Sequence, residues 1–292
     1  MPRSLRGRIR DWLTARLTHF LNQPAGHYEQ HHPNDVERLA RTIRKGDVLL
    51  VEGHQRVSAM IKYLTHSSWS HAALYVGDEL VRRGGPLREL AVEHFGDEAE
   101  TLVVEALTEG VVASPLSKYT DHNVRICRPH RLRNFHLDQV IDEAVASIGL
   151  RYDLKNVAEL AIYLMRISLL PVRFRRRALR LGSGLSGQVI CTSLIGQIFQ
   201  NVGFPVLPQV SHPRAPGHAP PPRRSRWNPF AAADPQLAPY GGGVYRRRHP
   251  TLLMPRDFDL SPFFEIVKFN VIAEKGFDYE RIEWEDDGEE VA

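Results

Sequence analysis

From Asp35 onward the chain alternates short helical stretches with β-branched runs, and no Gly-rich turn follows the first strand. That order constrains the fold most. Apolar periodicity predicts helix 35–44, strand 47–51, helix 56–65 and strands 71–76, 101–107 and 124–128. Helices are expected at 136–148, 153–170 and 191–202, and a late strand at 263–272 is expected to rejoin the same sheet. Several strands followed by helices argue for an α+β fold rather than a doubly wound nucleotide-binding sheet. With 292 residues, 42% of them hydrophobic and 25% charged, the chain can bury a sizeable core, which excludes global disorder.

The segments flanking this core are of a different kind. Residues 5–21 space Leu5, Ile9, Trp12, Leu13, Leu17 and Phe20 as one helical face with arginines between them. This basic amphipathic helix either docks on the domain or lies on a membrane surface. The expected organisation is therefore a helix and linker over 1–34, a domain over 35–272 and an acidic tail over 273–292. The domain carries a Pro/Arg-rich insertion at about 205–250, read as an irregular, mobile excursion. Arginines clump at 173–180, 223–226 and 246–248, and six acids crowd Glu283 to Glu290. Stacking aromatics are not interleaved with the arginines, so an anionic membrane surface suits them better than nucleic acid. There is no uninterrupted signal-like apolar stretch, and Arg166 divides the best spanning candidate, 157–172. A cytoplasmic protein, peripheral at the inner membrane surface if it meets a membrane at all, is the expectation.

The two cysteines, Cys127 and Cys191, lack CxxC spacing, so neither a disulfide framework nor a cysteine-rich zinc site is written here. His27, His31 and His32 share no ligand-like spacing with a carboxylate or thiol, so no metal and no cofactor is expected. Cys127, inside the strand VRICR, reads as an inert, half-buried thiol. Cys191 opens the helix ICTSLIGQIF after the glycine-rich turn GSGLSG. At a helix start, orphan N–H groups and the helix dipole favour a thiolate. His71 opens the strand in WSHAALYVGD. Glu105 sits in TLVVEAL between Val103 and Leu107, where a carboxylate is costly to bury without a partner such as His71.

The runs GDVLLVEG, WSHAALYVGD, VEALTEGVVASPL and ICTSLIGQIF, with MPRDFDLSPFFEIV similar to the family's closing strand, resemble the permuted papain-fold cysteine hydrolases, the YiiX/YebB-like branch of the NlpC-type clan. The resemblance implies a circularly permuted papain-like domain whose antiparallel sheet packs against the helix carrying the cysteine. It further implies that Cys191 is the nucleophile, His71 the general base and acid, and Glu105 the residue orienting the imidazole. The backbone N–H of Cys191 is one expected oxyanion donor, and a second is left open, with Gln188 and Tyr152 as guesses. The implied substrate is an acyl-bearing small molecule, lipid or peptide, cleaved at an amide or ester through an acyl-enzyme. The alternative is a catalytically silent papain-like module that binds anionic lipid or a protein partner through its arginines.

Overall fold

The computed structural model describes residues 23–24, 30, 34–107, 110–150, 190–212 and 244–269. The expected N-terminal helix, the helix 153–170, the arginines of 173–180, most of the proline-rich insertion and the acidic tail lie outside the described residues.

Six strands make one sheet: β1 (Val48–Glu52), β2 (His71–Gly77), β3 (Leu102–Leu107), β4 (Gly110–Pro115), β5 (Asn123–Pro129) and β8 (Phe264–Val267), in the order β4-β3-β2-β1-β5-β8. Every neighbouring pair is antiparallel. Strands β6 (Gln209–His212) and β7 (Val244–Arg246) pair separately. The insertion read as wholly irregular is therefore clasped at its ends by a two-stranded ribbon.

The helices are α1 (Val36–Thr42), α2 (Arg56–Thr65), α3 (Glu79–Arg83), α4 (Gly85–Phe95), α5 (Asn134–Ser147), α6 (Ile190–Asn201) and α7 (Pro255–Asp259). The sequence reading did not mark α3, α4 or β4. The charged surface of α4 hides its period, because Ala91 is its one buried residue while Leu90 and Val92 are exposed. Strand β4 is a short edge strand that ends on Pro115, the place where a missing N–H is tolerated.

Central strands read as continuous apolar runs because both faces of the sheet are covered. On one face Val48, Leu50, Ala72, Leu74 and Val104 pack with Val140 and Ala144 of α5 and with Ile195, Ile198 and Phe199 of α6. On the other, Leu49, Val51, Ala73 and Val103 meet Leu39 and Ile43 near α1, and Leu116 and Tyr119 of the 3-10 turn Leu116–Tyr119. Phe199 also joins Phe204, Phe258 and Phe264, with ring centroids of neighbouring pairs 5.3 to 5.6 Å apart. Edge-to-face packing of this kind ties α6 to the closing strand β8, and each such pair adds about 0.5–1.5 kcal/mol beyond area burial.

Candidate active site

Side chains alternate along a strand, so register decides which residues share a face. His71 stands opposite Val51, and Glu105 lies two positions beyond Val103, so both belong to the face covered by α1 and the 3-10 turn. The structure brings them together: Nε2 of His71 is 2.6 Å from Oε2 of Glu105. Glu105 is fully buried, while the His71 side chain keeps 19% of its exposure. The carboxylate thus sits behind a ring that still reaches the surface.

One imidazole cannot satisfy a buried carboxylate, which has about four acceptor sites. The 3-10 turn after β4 supplies the rest. Tyr119 donates its hydroxyl to Oε2 at 2.6 Å, and Lys118 donates from Nζ to Oε1 at 2.5 Å. The turn is placed by backbone and side-chain bonds: Leu116 N donates to Thr101 O at 2.9 Å, and Asn34 Nδ2 donates to Tyr119 O and Thr120 O at 3.1 Å. Sequence reading missed both donors. The available signal was stoichiometric, since a buried Glu inside a strand needs more donors than one His can offer.

Burial alone would raise the Glu105 pKa, but the hydrogen bond and charge of His71, together with Lys118, hold it well below the usual carboxylate range. An ionised Glu105 has no proton to give. Nε2 of His71 must then be the donor, which leaves Nδ1 as the basic nitrogen of the neutral ring.

The rings of Tyr119 and His122 lie 5.9 Å apart, and those of His54 and His122 5.2 Å. Burial, and then the charge of His54, lower the His122 pKa. Among the described residues no group of three or more His, Cys, Asp and Glu is arranged to hold a metal ion. His27, His31 and His32 lie outside the described residues, as do Gln188 and Tyr152.

Cys191 is the second residue of α6. The body of this helix packs on β2 and β3, and its Ile195, Ile198 and Phe199 lie on the sheet face opposite the His71 side chain. Thr192 anchors the first turn by donating from Oγ1 to Leu253 O at 2.7 Å. His71 begins its strand and Cys191 belongs to the first turn of its helix, so both stand at ends of their elements. The Cys191 side chain lies outside the described residues. Cys127, expected to be half-buried, is instead fully buried in the core, and burial, followed by the charge of Asp259, pushes its thiol pKa up.

Residues 42–163 match the family described as permuted papain-like amidase enzymes, the YaeF/YiiX or C92 family. No curated protein matches the chain. Among solved structures it is similar to the one described as metalloprotein YiiX from Escherichia coli O157:H7, at 14% identity and a TM-score of 0.41. That alignment covers 77% of this chain and 97% of the other.

Proposed function

We propose that this chain, whose residues 42–163 match the permuted papain-like amidase family, is a cysteine hydrolase that works through Cys191, His71 and Glu105. The observation that carries the reading is the buried, three-donor Glu105 holding Nε2 of His71. Such an arrangement fixes the tautomer and orientation of a general base. In this reading Nδ1 of His71 takes the Cys191 thiol proton, and the thiolate attacks the acyl carbon of an amide or ester. The Cys191 backbone N–H stabilises the oxyanion. The imidazolium returns its proton to the leaving amine or alcohol as the acyl–oxygen or acyl–nitrogen bond breaks. Water then gives a proton to Nδ1 while attacking the acyl-enzyme, and the acid departs as the thiol re-forms. Glu105 stabilises the imidazolium in both halves. The chemistry requires the first turn of α6 to reach past the end of the sheet, with Cys191 Sγ about 3 to 4.5 Å from Nδ1.

Thiol labelling tests this reading. Iodoacetamide at pH 6.5 is expected to add one carboxamidomethyl mass at Cys191 and none at the buried Cys127. His71→Ala should slow that addition, and incubation with acyl lipids and acylated peptides should leave an acyl mass on Cys191. Labelling of Cys191 no faster than an ordinary thiol, unaffected by His71→Ala, would leave the silent binding module as the better reading.

The substrate we assign is an acyl-bearing lipid, small molecule or peptide met at an anionic membrane surface. The support is the basic amphipathic sequence of residues 5–21 and the apolar run ending in the arginines of 173–180. No helix among the described residues is long and apolar enough to cross a membrane. Flotation with anionic but not neutral liposomes, weakened between about 0.1 and 0.5 M salt, is the expected result. Flotation indifferent to lipid charge would remove the assignment.

A further inference from the structure

Orienting an imidazole takes one carboxylate oxygen, yet Glu105 has its second oxygen bound to a cation. Lys118 Nζ lies 2.5 Å from Oε1 and 3.5 Å from Ser114 Oγ, with its side chain 38% exposed, and it stands 5.4 Å from the centre of the Tyr119 ring. We propose that Lys118 is a positioning residue that sets the pH range over which the His71–Cys191 pair is charged, an inference that rests on the cysteine-hydrolase reading above.

The physical argument concerns how one negative charge is shared. A carboxylate acting on His71 alone stabilises the imidazolium and raises the imidazole pKa. An ammonium on the opposite oxygen cancels part of that field at the ring, and its own positive charge favours the thiolate. Lys118 therefore lowers both the pKa of His71 and that of the thiol, shifting the ion pair toward lower pH. Tyr119 holds the other oxygen without adding charge, so its hydroxyl fixes geometry while Lys118 fixes the electrostatics.

Among the described residues, Lys118 and Tyr119 reach Glu105 from the 3-10 turn, and His122, from the loop after it, lies against the Tyr119 ring, while His54, from the loop after β1, and the exposed Asp121 act on His122. Of these, Lys118 is the one whose cation pairs with the Glu105 oxygen that His71 leaves open. Strand β4 contributes the neutral Ser114, and β1 places Val51 opposite His71.

The experiment is the pH dependence of Cys191 alkylation by iodoacetamide, followed by intact mass from pH 4 to 10 on the full chain and on Lys118→Met, Lys118→Gln and Lys118→Arg. Wild type should show a rate midpoint well below the ordinary thiol value of about 8.5. Lys118→Met and Lys118→Gln should move that midpoint up by about one pH unit, and Lys118→Arg should restore it. The His71 ring, read by its Cε1–H chemical shift, should titrate higher in Lys118→Met by a similar amount. A purely structural lysine would change the plateau rate and leave both midpoints in place, which overturns the proposal. If wild type alkylates at the ordinary thiol midpoint whether or not His71 is present, the hydrolase reading fails and takes the proposal with it. If His71→Ala moves the midpoint while Lys118→Met does not, the hydrolase reading stands and the proposal alone falls.

Discussion

Glu105 is closed to water, and its charge is met by three donors, His71, Lys118 and Tyr119. Glu105→Gln keeps the shape of the side chain but removes the charge and turns an acceptor into an amide donor. In either flip the amide nitrogen faces a donor, Lys118 on one side or Tyr119 and His71 on the other. If Glu105 orients His71 as proposed, the expected outcome is a fall in kcat/KM of about 10²-fold or more, against about 10⁴ in kcat where the orienting carboxylate of a serine-protease triad becomes an amide. Thermal or urea denaturation should show a stability loss of about 1–3 kcal/mol, the cost of a buried donor left unmade. Unchanged activity in Glu105→Gln would mean that His71 is oriented by something else. Glu105 was legible in the sequence because a carboxylate among Val103 and Leu107 breaks a strand pattern, and His71 because it opens one. Lys118 and Tyr119 were not, since a polar residue in a turn breaks no pattern and their roles arise only when β4 brings that turn over the sheet.

The strand and helix periods located β1, β2, β3, β5, α5 and α6 to within two residues at each end, because each carries a clear apolar pattern, even β5, in which Ile126 and Cys127 alone are buried. Element α4 stayed hidden for the opposite reason. The helix carrying Cys191 shows how its placement depends on a small residue: a Cβ on Gly196 would lie 2.2 Å from Leu253 Cδ1, and Leu253 is itself fully buried. The same Leu253 accepts the Thr192 hydroxyl through its carbonyl, so α6 is docked on this residue by backbone contact and by close approach. Gly196→Ala gains helix propensity of up to about 1 kcal/mol and loses about 1–3 kcal/mol to overpacking. A net destabilisation by urea denaturation is expected, together with slower Cys191 labelling as the first turn shifts. A more stable variant with unchanged labelling would show that Leu253 has room to rotate away.

Across the whole molecule, buried acids link stability to pH. Glu79 is buried and receives Arg82 at 2.6 Å, Arg83 at 3.1 Å and Lys45 at 2.9 Å. Burial opposes its ionisation, but these three cations win and bring its pKa down to about 2. Glu105 is depressed in the same direction. Both groups in the unfolded chain would titrate near the reference value of about 4.3, so the folded state binds fewer protons between those values. Their contribution is present in full above about pH 4.3 and is lost as pH falls from there toward about 2. Asp47 acts in the other direction. Its burial raises its pKa despite the Arg128 guanidinium at 2.7 Å, so protonation there favours the folded state slightly. Burial raises Glu143 as well, so among the described residues two acids, Asp47 and Glu143, favour the folded state in acid, whereas the strongly depressed Glu79 and Glu105 and the lowered imidazoles of His122 and His136 oppose it, which leaves a net loss of stability in acid. Urea midpoints measured from pH 7 to pH 3 should fall below about pH 4.5, and Glu79→Gln should flatten that fall by about 1–2 kcal/mol, the exposed Arg82 being screened by water. Parallel pH curves for wild type and Glu79→Gln would show that the cations around Glu79 hold it no better in the folded protein than water does in the unfolded chain.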